Sequence, residues 1–191
     1  MTERPAAPAP ATVLLLPGWQ NSGDTHWQTR WEQGHGYHRV EQADWLWPRR
    51  GDWMARLDEV LLEPGRESCW LVAHSLGCQL VAAWAAHSGL TARVRGALLV
   101  APPDIERADM PPQLGSWRPI VRARLPFAAT VVASSDDPYA TPERAAMMAA
   151  DWDASLCSLG NCGHINGEAQ LGDWEEGHRL LLALAAQAGS A

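Results

Sequence analysis

The sequence contains no lysine: all 15 of its basic residues are arginine, against 22 acidic residues, which gives a formal net charge of −7. Without lysine there can be no Schiff-base lysine, no Ser-Lys dyad and no phosphate-binding lysine of a Walker-type loop. The acidic balance and the lack of any arginine run argue against nucleic acid as a partner. The chemistry available to the chain is therefore that of hydroxyl, thiol, imidazole and carboxylate groups.

Cysteine is scarce and long apolar runs are missing. The four cysteines are too few for a disulfide scaffold, and their spacing matches no zinc pattern: Cys69, Cys78, Cys157 and Cys162. We therefore expect reduced thiols, a cytoplasmic protein and no bound metal. No apolar run approaches the ~18 residues that a membrane span needs, and the first residues make a poor signal peptide. We expect no membrane partner.

The remaining composition fits one globular domain. Hydrophobic residues make up 47% of the 191 residues, which is enough for a single well-filled core. We predict a disordered Pro/Ala leader over residues 1–10 and a single domain over residues 11–191. We find no internal repeat.

Short apolar runs alternate with amphipathic stretches along the chain. We predict strands at 12–16, 38–45, 68–73, 94–101, 130–134 and 155–159, and helices at 26–34, 52–62, 76–87, 142–150 and 171–186. The first strand is apolar at nearly every position, which is typical of a parallel strand buried on both faces. The alternation predicts an α/β fold: a mostly parallel central sheet with helices on both faces. Ligands of such sheets bind beyond the carboxyl ends of the strands.

Ser75 is the candidate nucleophile. It lies in A-H-S-L-G, residues 73–77, between a predicted strand and a predicted helix. A nucleophile elbow needs a strained turn there, with small residues two before and two after the serine. Ala73 and Gly77 meet that need, although alanine stands where glycine is usual. The N–H groups that open the next helix suit a developing negative charge. The alternative is a serine that caps an ordinary helix.

Asp137 is the candidate acid, in S-S-D-D-P-Y directly after a predicted strand. A buried carboxylate at this point can hold a histidine in the right tautomer and stabilise its positive charge. The following proline fixes a turn at Asp137, which favours it over its neighbour Asp136. Asp104 is a second alternative because it follows the preceding strand. A turn-forming Asp-Asp-Pro without a catalytic role would have the same sequence.

His164 is the candidate base, in the glycine-rich stretch G-N-C-G-H-I-N between the last strand and the last helix. Such a loop can carry an imidazole across to the serine with few steric limits. For three other histidines, packing or solvent exposure is the expected role: His74, His87 and His178.

The order of the three candidates is the decisive observation. They run Ser75, Asp137, His164, each after a separate predicted strand. This is the chain order of the α/β-hydrolase fold. Three signals in the required order are stronger together than any one alone.

At this point the sequence resembles a known family: the small bacterial α/β-hydrolases grouped with the retinoblastoma-binding-protein-nine serine hydrolases. The resemblance covers nearly the whole chain and rests on four motifs: L-L-L-P-G-W-Q-N-S-G-D-T-H-W (14–27), A-H-S-L-G (73–77), S-S-D-D-P-Y (134–139) and G-H-I-N (163–166). It implies a compact α/β-hydrolase without a large cap and a catalytic triad of Ser75, Asp137 and His164. It also implies that P-G-W-Q, after the first strand, is the oxyanion loop.

The reaction expected from these residues is hydrolysis of a small ester. His164 would take the proton of Ser75 as its oxygen attacks the carbonyl, and Asp137 would stabilise the imidazolium. The backbone N–H groups of Leu76 and Trp19 would bind the oxyanion. An acyl-enzyme on Ser75 would then be hydrolysed, with no metal or organic cofactor.

Substrate choice is predicted only in outline. About 26 residues separate the strand that ends near Ala101 from the next one, and their prolines keep them irregular. This leaves little room for a lid, so we expect a shallow, open site that favours short acyl chains. We predict Gln20, Trp27 and Trp117 as substrate-binding residues, with Trp19 beside them, although core packing explains a tryptophan equally well.

Two alternative functions remain open at this stage. A thioesterase, lactonase or amidase would use the same three residues. A non-catalytic binding module with a protein partner is also compatible, because a fold does not dictate a function. The sequence does not indicate an oligomeric state.

Overall fold

The computed structural model describes residues 11–188, so the predicted leader over residues 1–10 lies outside the described residues. The strands are β1 (Thr12–Leu16), β2 (His38–Arg39), β3 (Cys69–His74), β4 (Val94–Val100), β5 (Ala128–Ala133) and β6 (Ser155–Ser158). The α-helices are α1 (Trp27–His35), α2 (Arg50–Leu62), α3 (Leu76–Ala85), α4 (Pro142–Asp151) and α5 (Glu175–Ala188). Strands and helices thus alternate along the chain as predicted.

The six strands form one sheet in the order β2-β1-β3-β4-β5-β6. Every neighbouring pair is parallel. Strand β3 lies inside the sheet, between β1 and β4, and it runs directly into α3. The predicted parallel sheet is confirmed, and its carboxyl edge is where a ligand is expected.

Apolar side chains cover both faces of the sheet, because alternate residues of a strand point to opposite sides. In β1, Leu14 and Leu16 belong to the core that also contains residues of α2, α3 and α4. Val13 and Leu15 belong to the core that contains residues of α1 and α5. All four are buried, which confirms the prediction of a strand covered on both sides by helices.

Two predicted elements need correction. The strand predicted over residues 38–45 ends at Arg39, because β2 is an edge strand and its neighbour β1, which pairs with it through Leu14 and Leu15, ends at Leu16. The last helix begins at Glu175 and not at residue 171. Gly172 and Trp174 have φ values of +61° and +41°, which no helix residue adopts.

The segment between β4 and β5 forms no cap domain. Residues 101–127 contain one short 3₁₀ helix, Pro112–Trp117, and bury Leu114 and Trp117 against the core. In the described part of the chain, none of the helices has the length and apolar character needed to cross a membrane.

Candidate active site

The three candidate residues lie together at the carboxyl edge of the sheet. Ser75 follows β3, Asp137 follows β5 and His164 follows β6. Strands β3 and β5 are separated in the sheet only by β4. Parallel strands point their carboxyl ends to the same edge, so residues distant in sequence meet there.

Ser75 occupies a strained turn between β3 and α3. Its φ is +53° and its ψ is −123°, a conformation that side chains other than glycine rarely adopt. A Cβ atom on Gly77 would lie 2.3 Å from the carbonyl oxygen of Leu16, so only glycine fits where α3 crosses β1. Ala73 is completely buried, and its methyl group fits without displacing the neighbouring strands. These are the contacts that the elbow motif predicts.

A continuous chain of hydrogen bonds joins the three side chains. His164 Nε2 lies 2.8 Å from Ser75 Oγ, and His164 Nδ1 lies 3.0 Å from both carboxylate oxygens of Asp137. The Asp137 side chain is only 3% exposed and that of His164 9% exposed. A carboxylate on Nδ1 holds the proton there and leaves Nε2 free to accept the serine proton.

The alternative acids serve other partners. Asp136 accepts hydrogen bonds from the Ser134 hydroxyl (2.7 Å) and from the Gly163 backbone N–H (2.8 Å). These two hydrogen bonds hold the pKa of Asp136 below its usual value, and the bond from Ser134 has the larger effect. Asp136 therefore anchors the loop that carries His164, while Asp137 contacts the imidazole itself.

Asp104 is engaged with α4. Both of its carboxylate oxygens accept hydrogen bonds from the Arg144 guanidinium, each at 2.8 Å. The same arginine also binds Glu106. Asp104 thus ties the segment after β4 to α4, and the carboxylate that contacts the imidazole is that of Asp137.

Two backbone N–H groups near Ser75 are the candidate donors to a developing oxyanion. Leu76 is the first residue of α3, and the N–H groups of a first helical turn have no partner inside the helix. In the loop after β1, the Gln20 N–H donates to Trp45 and the Asn21 N–H to Gly18. Gly18 and Trp19 of that loop line the same cavity as Ser75, and Trp19 stays the donor candidate.

A cavity of about 410 Å³ surrounds Ser75 and His164. Its volume lies in the range of about 300–1,000 Å³ that small-molecule sites occupy. The apolar part of the wall comes from the segment after β4: Pro103, Met110, Pro111 and Leu114. The polar part includes Gln20, Asn21, Asn166 and Glu168, so Gln20 lies where a substrate-binding residue is expected.

Trp27 and Trp117 do not line this cavity, which corrects their assignment as substrate-binding residues. Each is 1% exposed, and each indole N–H donates to a backbone carbonyl, that of Ile165 for Trp27 and that of Pro48 for Trp117. Both are core residues, because a buried indole with a satisfied N–H gains most from apolar packing. Trp19, in contrast, does line the cavity.

Sequence reasoning missed much of the cavity wall, including three rings near Ser75. Tyr139 lies edge-on to His164 with 4.6 Å between ring centroids. His74 donates from Nε2 to the backbone carbonyl of His164 at 2.9 Å, so it holds the loop that carries His164 in addition to packing. His26 lies behind His74, with ring centroids 4.6 Å apart. The only signal in the sequence was their position inside the motifs at 14–27, 73–77 and 134–139.

The other histidines have no place in the site. His87 Nδ1 bonds to the backbone carbonyl of Ala83, and His178 bonds to the Tyr37 hydroxyl. Within residues 11–188, no three His, Cys, Asp or Glu side chains are grouped so as to hold a metal ion.

Comparison with known proteins gives a family and a fold. The family model described as Serine hydrolase matches residues 13–183. No curated protein matches the chain in sequence. A proposed YdeN-like hydrolase from Pectobacterium atrosepticum is 28% identical with a TM-score of 0.79, over 93% of this chain and 92% of that one.

Two further structures resemble the chain at lower identity. The YdeN product of Bacillus subtilis is 21% identical with a TM-score of 0.69, over 93% of this chain and 100% of that one. The esterase RhEst1 of Rhodococcus sp. ECU1013 is 13% identical with a TM-score of 0.66, over 92% and 90%. The predicted α/β-hydrolase fold and the resemblance to small serine hydrolases are confirmed.

Proposed function

We propose that this chain, which belongs to the serine hydrolase family, is a carboxylesterase that cleaves short-acyl esters through an acyl-enzyme on Ser75. The observation that carries the proposal is the hydrogen-bond chain from Ser75 through His164 to Asp137 at the wall of a cavity. Membership of the family makes the chain a hydrolase. The ester specificity and the roles of the three residues are our inference.

The first half of the reaction forms the acyl-enzyme. Ser75 Oγ attacks the ester carbonyl while His164 Nε2, 2.8 Å away, takes its proton. The imidazolium then gives this proton to the leaving alcohol as the carbon–oxygen bond breaks. Proton transfer of this kind contributes roughly 100- to 10,000-fold in rate. The buried Asp137 carboxylate stabilises the positive charge on His164 during both steps.

The backbone N–H groups of Leu76 and Trp19 stabilise the negative charge on the carbonyl oxygen. Removing one such donor typically costs on the order of 100- to 1,000-fold in rate. A Cβ on Gly18 would lie 2.7 Å from the Cβ of Ser75, so glycine lets the loop after β1 approach the nucleophile. This close approach is what brings the Trp19 N–H near the reacting carbonyl.

The second half of the reaction regenerates the serine. A water molecule loses a proton to His164 as its oxygen attacks the acyl carbon, and the proton returns to Ser75 Oγ as the acid leaves. The cavity favours small acyl groups because its wall after β4 is formed by Met110, Pro111 and Leu114 without a lid domain. The esterase RhEst1 shares this fold, which is consistent with ester hydrolysis on such a scaffold.

The test is a panel of p-nitrophenyl esters with acetyl, butyryl and decanoyl chains, with matched thioesters and anilides. We expect the highest kcat/KM for the acetyl or butyryl oxygen ester and no turnover by Ser75→Ala. Faster cleavage of the decanoyl ester would contradict the small acyl site. Faster cleavage of the thioester or the anilide would replace the esterase assignment by that of a thioesterase or an amidase. A folded wild type that cleaves none of these substrates would favour a non-catalytic binding module.

The cysteines support a cytoplasmic location, which we add to the proposal. All four lie in the described part of the chain as free thiols. Burial raises the pKa of Cys69 to about 11 and that of Cys78 well above its usual value, so neither is a ready nucleophile. Free thiols persist in reducing compartments.

A further inference from the structure

Three imidazoles line the cavity, and the reaction uses only one of them directly. His164 contacts Ser75, and His74 contacts the backbone of His164. The third, His26, stands at the start of α1, with 4.6 Å between its ring centroid and that of His74. It also lines the cavity. The mechanism gives His26 no role.

The tautomer of His26 is fixed by the helix that it caps. Its Nδ1 accepts the backbone N–H of Gln28 at 3.1 Å, so the proton of the neutral ring is on Nε2. Burial, followed by the charge of Arg39 and the proximity of His164, lowers the pKa of His26 to about 3. The ring is therefore neutral at physiological pH, with Nε2 as a hydrogen-bond donor.

This donor has no acceptor among the described residues. His26 is only 5% exposed, and its Nε2 is buried without a hydrogen-bond partner. An unsatisfied buried donor typically costs about 1–3 kcal/mol, so a buried polar atom without a partner requires an explanation.

The polar side chains around His26 are already engaged. The Gln28 amide donates to the carbonyls of Leu16 and Val72, while its oxygen accepts the Ser22 hydroxyl. The next residue, Trp27, donates its indole N–H to a backbone carbonyl. A molecule in the cavity is therefore the natural source of an acceptor for His26.

We propose that His26 is a substrate-binding residue whose Nε2–H donates to an acceptor oxygen of the ester beyond the scissile carbonyl. This inference rests on the proposed function and narrows its substrate class to esters that carry an ether or hydroxyl oxygen in the acyl or the alcohol part. Such an oxygen restores the missing hydrogen bond, whereas an alkyl chain of the same size leaves the donor unsatisfied.

The test compares two pairs of esters of equal size. In the acyl pair, p-nitrophenyl methoxyacetate is measured against p-nitrophenyl butyrate; in the alcohol pair, 2-methoxyethyl acetate is measured against butyl acetate. For each pair, the ratio of kcat/KM is determined in the wild type, in His26→Phe and in His26→Asn. Dividing the variant ratio by the wild-type ratio cancels the intrinsic reactivity of the esters.

For the pair whose extra oxygen reaches His26, we expect the preference for the oxygen-containing ester to fall about 3- to 10-fold in both variants. This is the effect on kcat/KM that the loss of one hydrogen bond predicts. Asparagine retains an N-cap acceptor for α1, so this variant keeps the helix in place. A merely structural role of His26 would slow both members of a pair equally. Unchanged ratios in both pairs would overturn the proposal.

A binding measurement separates this proposal from the esterase assignment. In Ser75→Ala protein, the His26 Nε2–H resonance is followed by NMR during titration with two ether esters, methyl methoxyacetate and 2-methoxyethyl acetate, and with their alkyl counterparts, methyl butyrate and butyl acetate. A shift of that resonance with one ether ester but not with its alkyl counterpart supports the role of His26, even if the wild type hydrolyses no ester. Equal shifts within both pairs, or no shift with any of the four ligands, contradict it.

Discussion

In strand β3 the side chains from Cys69 to Ala73 are buried, whereas Ser75, just beyond its end, is partly exposed in a cavity. The strand is apolar from Cys69 to Ala73 and pairs with β1 and β4 on its two sides. At the carboxyl edge, Ser75, Ala101 and Ile165 all have positive φ. Each such residue costs about 1–3 kcal/mol and persists only because the surrounding structure holds it.

The interior of the sheet and its carboxyl edge therefore contribute to the protein in different ways. The sheet stabilises the fold by removing apolar surface from water, while its carboxyl edge holds strained and polar groups that the chemistry requires. Substitutions at the edge should therefore change the rate with little effect on stability. Substitutions inside the sheet should do the reverse.

The largest effect should come from Ser75→Ala. We expect kcat to fall about 10⁶-fold, as removal of a serine nucleophile does elsewhere. The free energy of unfolding should change by less than about 1 kcal/mol, because Ser75 packs against little of the core. Ester kinetics and urea unfolding on the same preparation measure both. A large loss of stability would show that Ser75 stabilises the fold as the buried residues of the sheet do, which would contradict the distinction between the two regions.

The second largest effect should come from Asp137→Asn. We expect kcat to fall about 10⁴-fold, since an amide cannot hold the proton on His164 Nδ1 in the required tautomer. Asp136→Asn is the matched control, and its loss should stay within about tenfold because Asp136 bonds to Ser134 and to the backbone of Gly163 and not to the imidazole. A larger loss for Asp136→Asn than for Asp137→Asn would reverse the assignment of the acid.

Leu71→Ala tests the other side of the comparison. Leu71 lies in β3 and is fully buried, so the cavity left by the substitution should cost about 2–5 kcal/mol of unfolding free energy. The kcat per folded molecule should match that of the wild type, because every molecule that folds has the same arrangement of residues at the carboxyl edge of the sheet. Active-site titration with a fluorophosphonate corrects for the unfolded fraction. A kcat below half the wild-type value would show that the two regions are coupled.

The smallest expected effect is a dependence of stability on pH that originates at the edge. Burial lowers the pKa of His26 from 6.5 to about 3 and also lowers the pKa of His74. The unfolded chain therefore binds protons below pH 6.5 that the folded chain does not, and stability is full above that pH and lost below it. Each histidine should contribute a loss of about 1.4 kcal/mol between pH 7.5 and 5.5.

His26→Asn provides the control for this pH effect. It removes one of the two buried imidazoles and retains an acceptor for the Gln28 N–H. Urea unfolding at the two pH values should show about half of the wild-type loss. An unchanged loss would mean that other groups produce the pH dependence.

The same two regions differ in how far they could be predicted from the sequence. The sheet interior was predictable because runs such as Thr12–Leu16 are apolar at nearly every position, which is typical of a strand buried on both faces. Ser75, Asp137 and His164 were found through motifs that follow strands, and the structure brings them together. The assignment of Trp27 and Trp117 to the cavity was wrong, because composition does not tell a buried indole from a lining one.

His26 could not be identified in advance. Its unpartnered Nε2 results from the capping bond of its Nδ1 and from the packing of α1 against β3. Neither contact leaves a periodicity or a spacing in the sequence. The early end of β2 was missed for a similar reason, since it depends on the register with β1, which ends at Leu16.

The most direct test of the account is covalent labelling with a fluorophosphonate probe, since it detects an activated serine without presuming a substrate. We predict stoichiometric labelling of the wild type, with the modified peptide containing Ser75, and none of Ser75→Ala. A folded wild type that remains unlabelled, or a Ser75→Ala protein that is labelled as fast as the wild type, would contradict the claim that this hydrogen-bonded serine is the nucleophile.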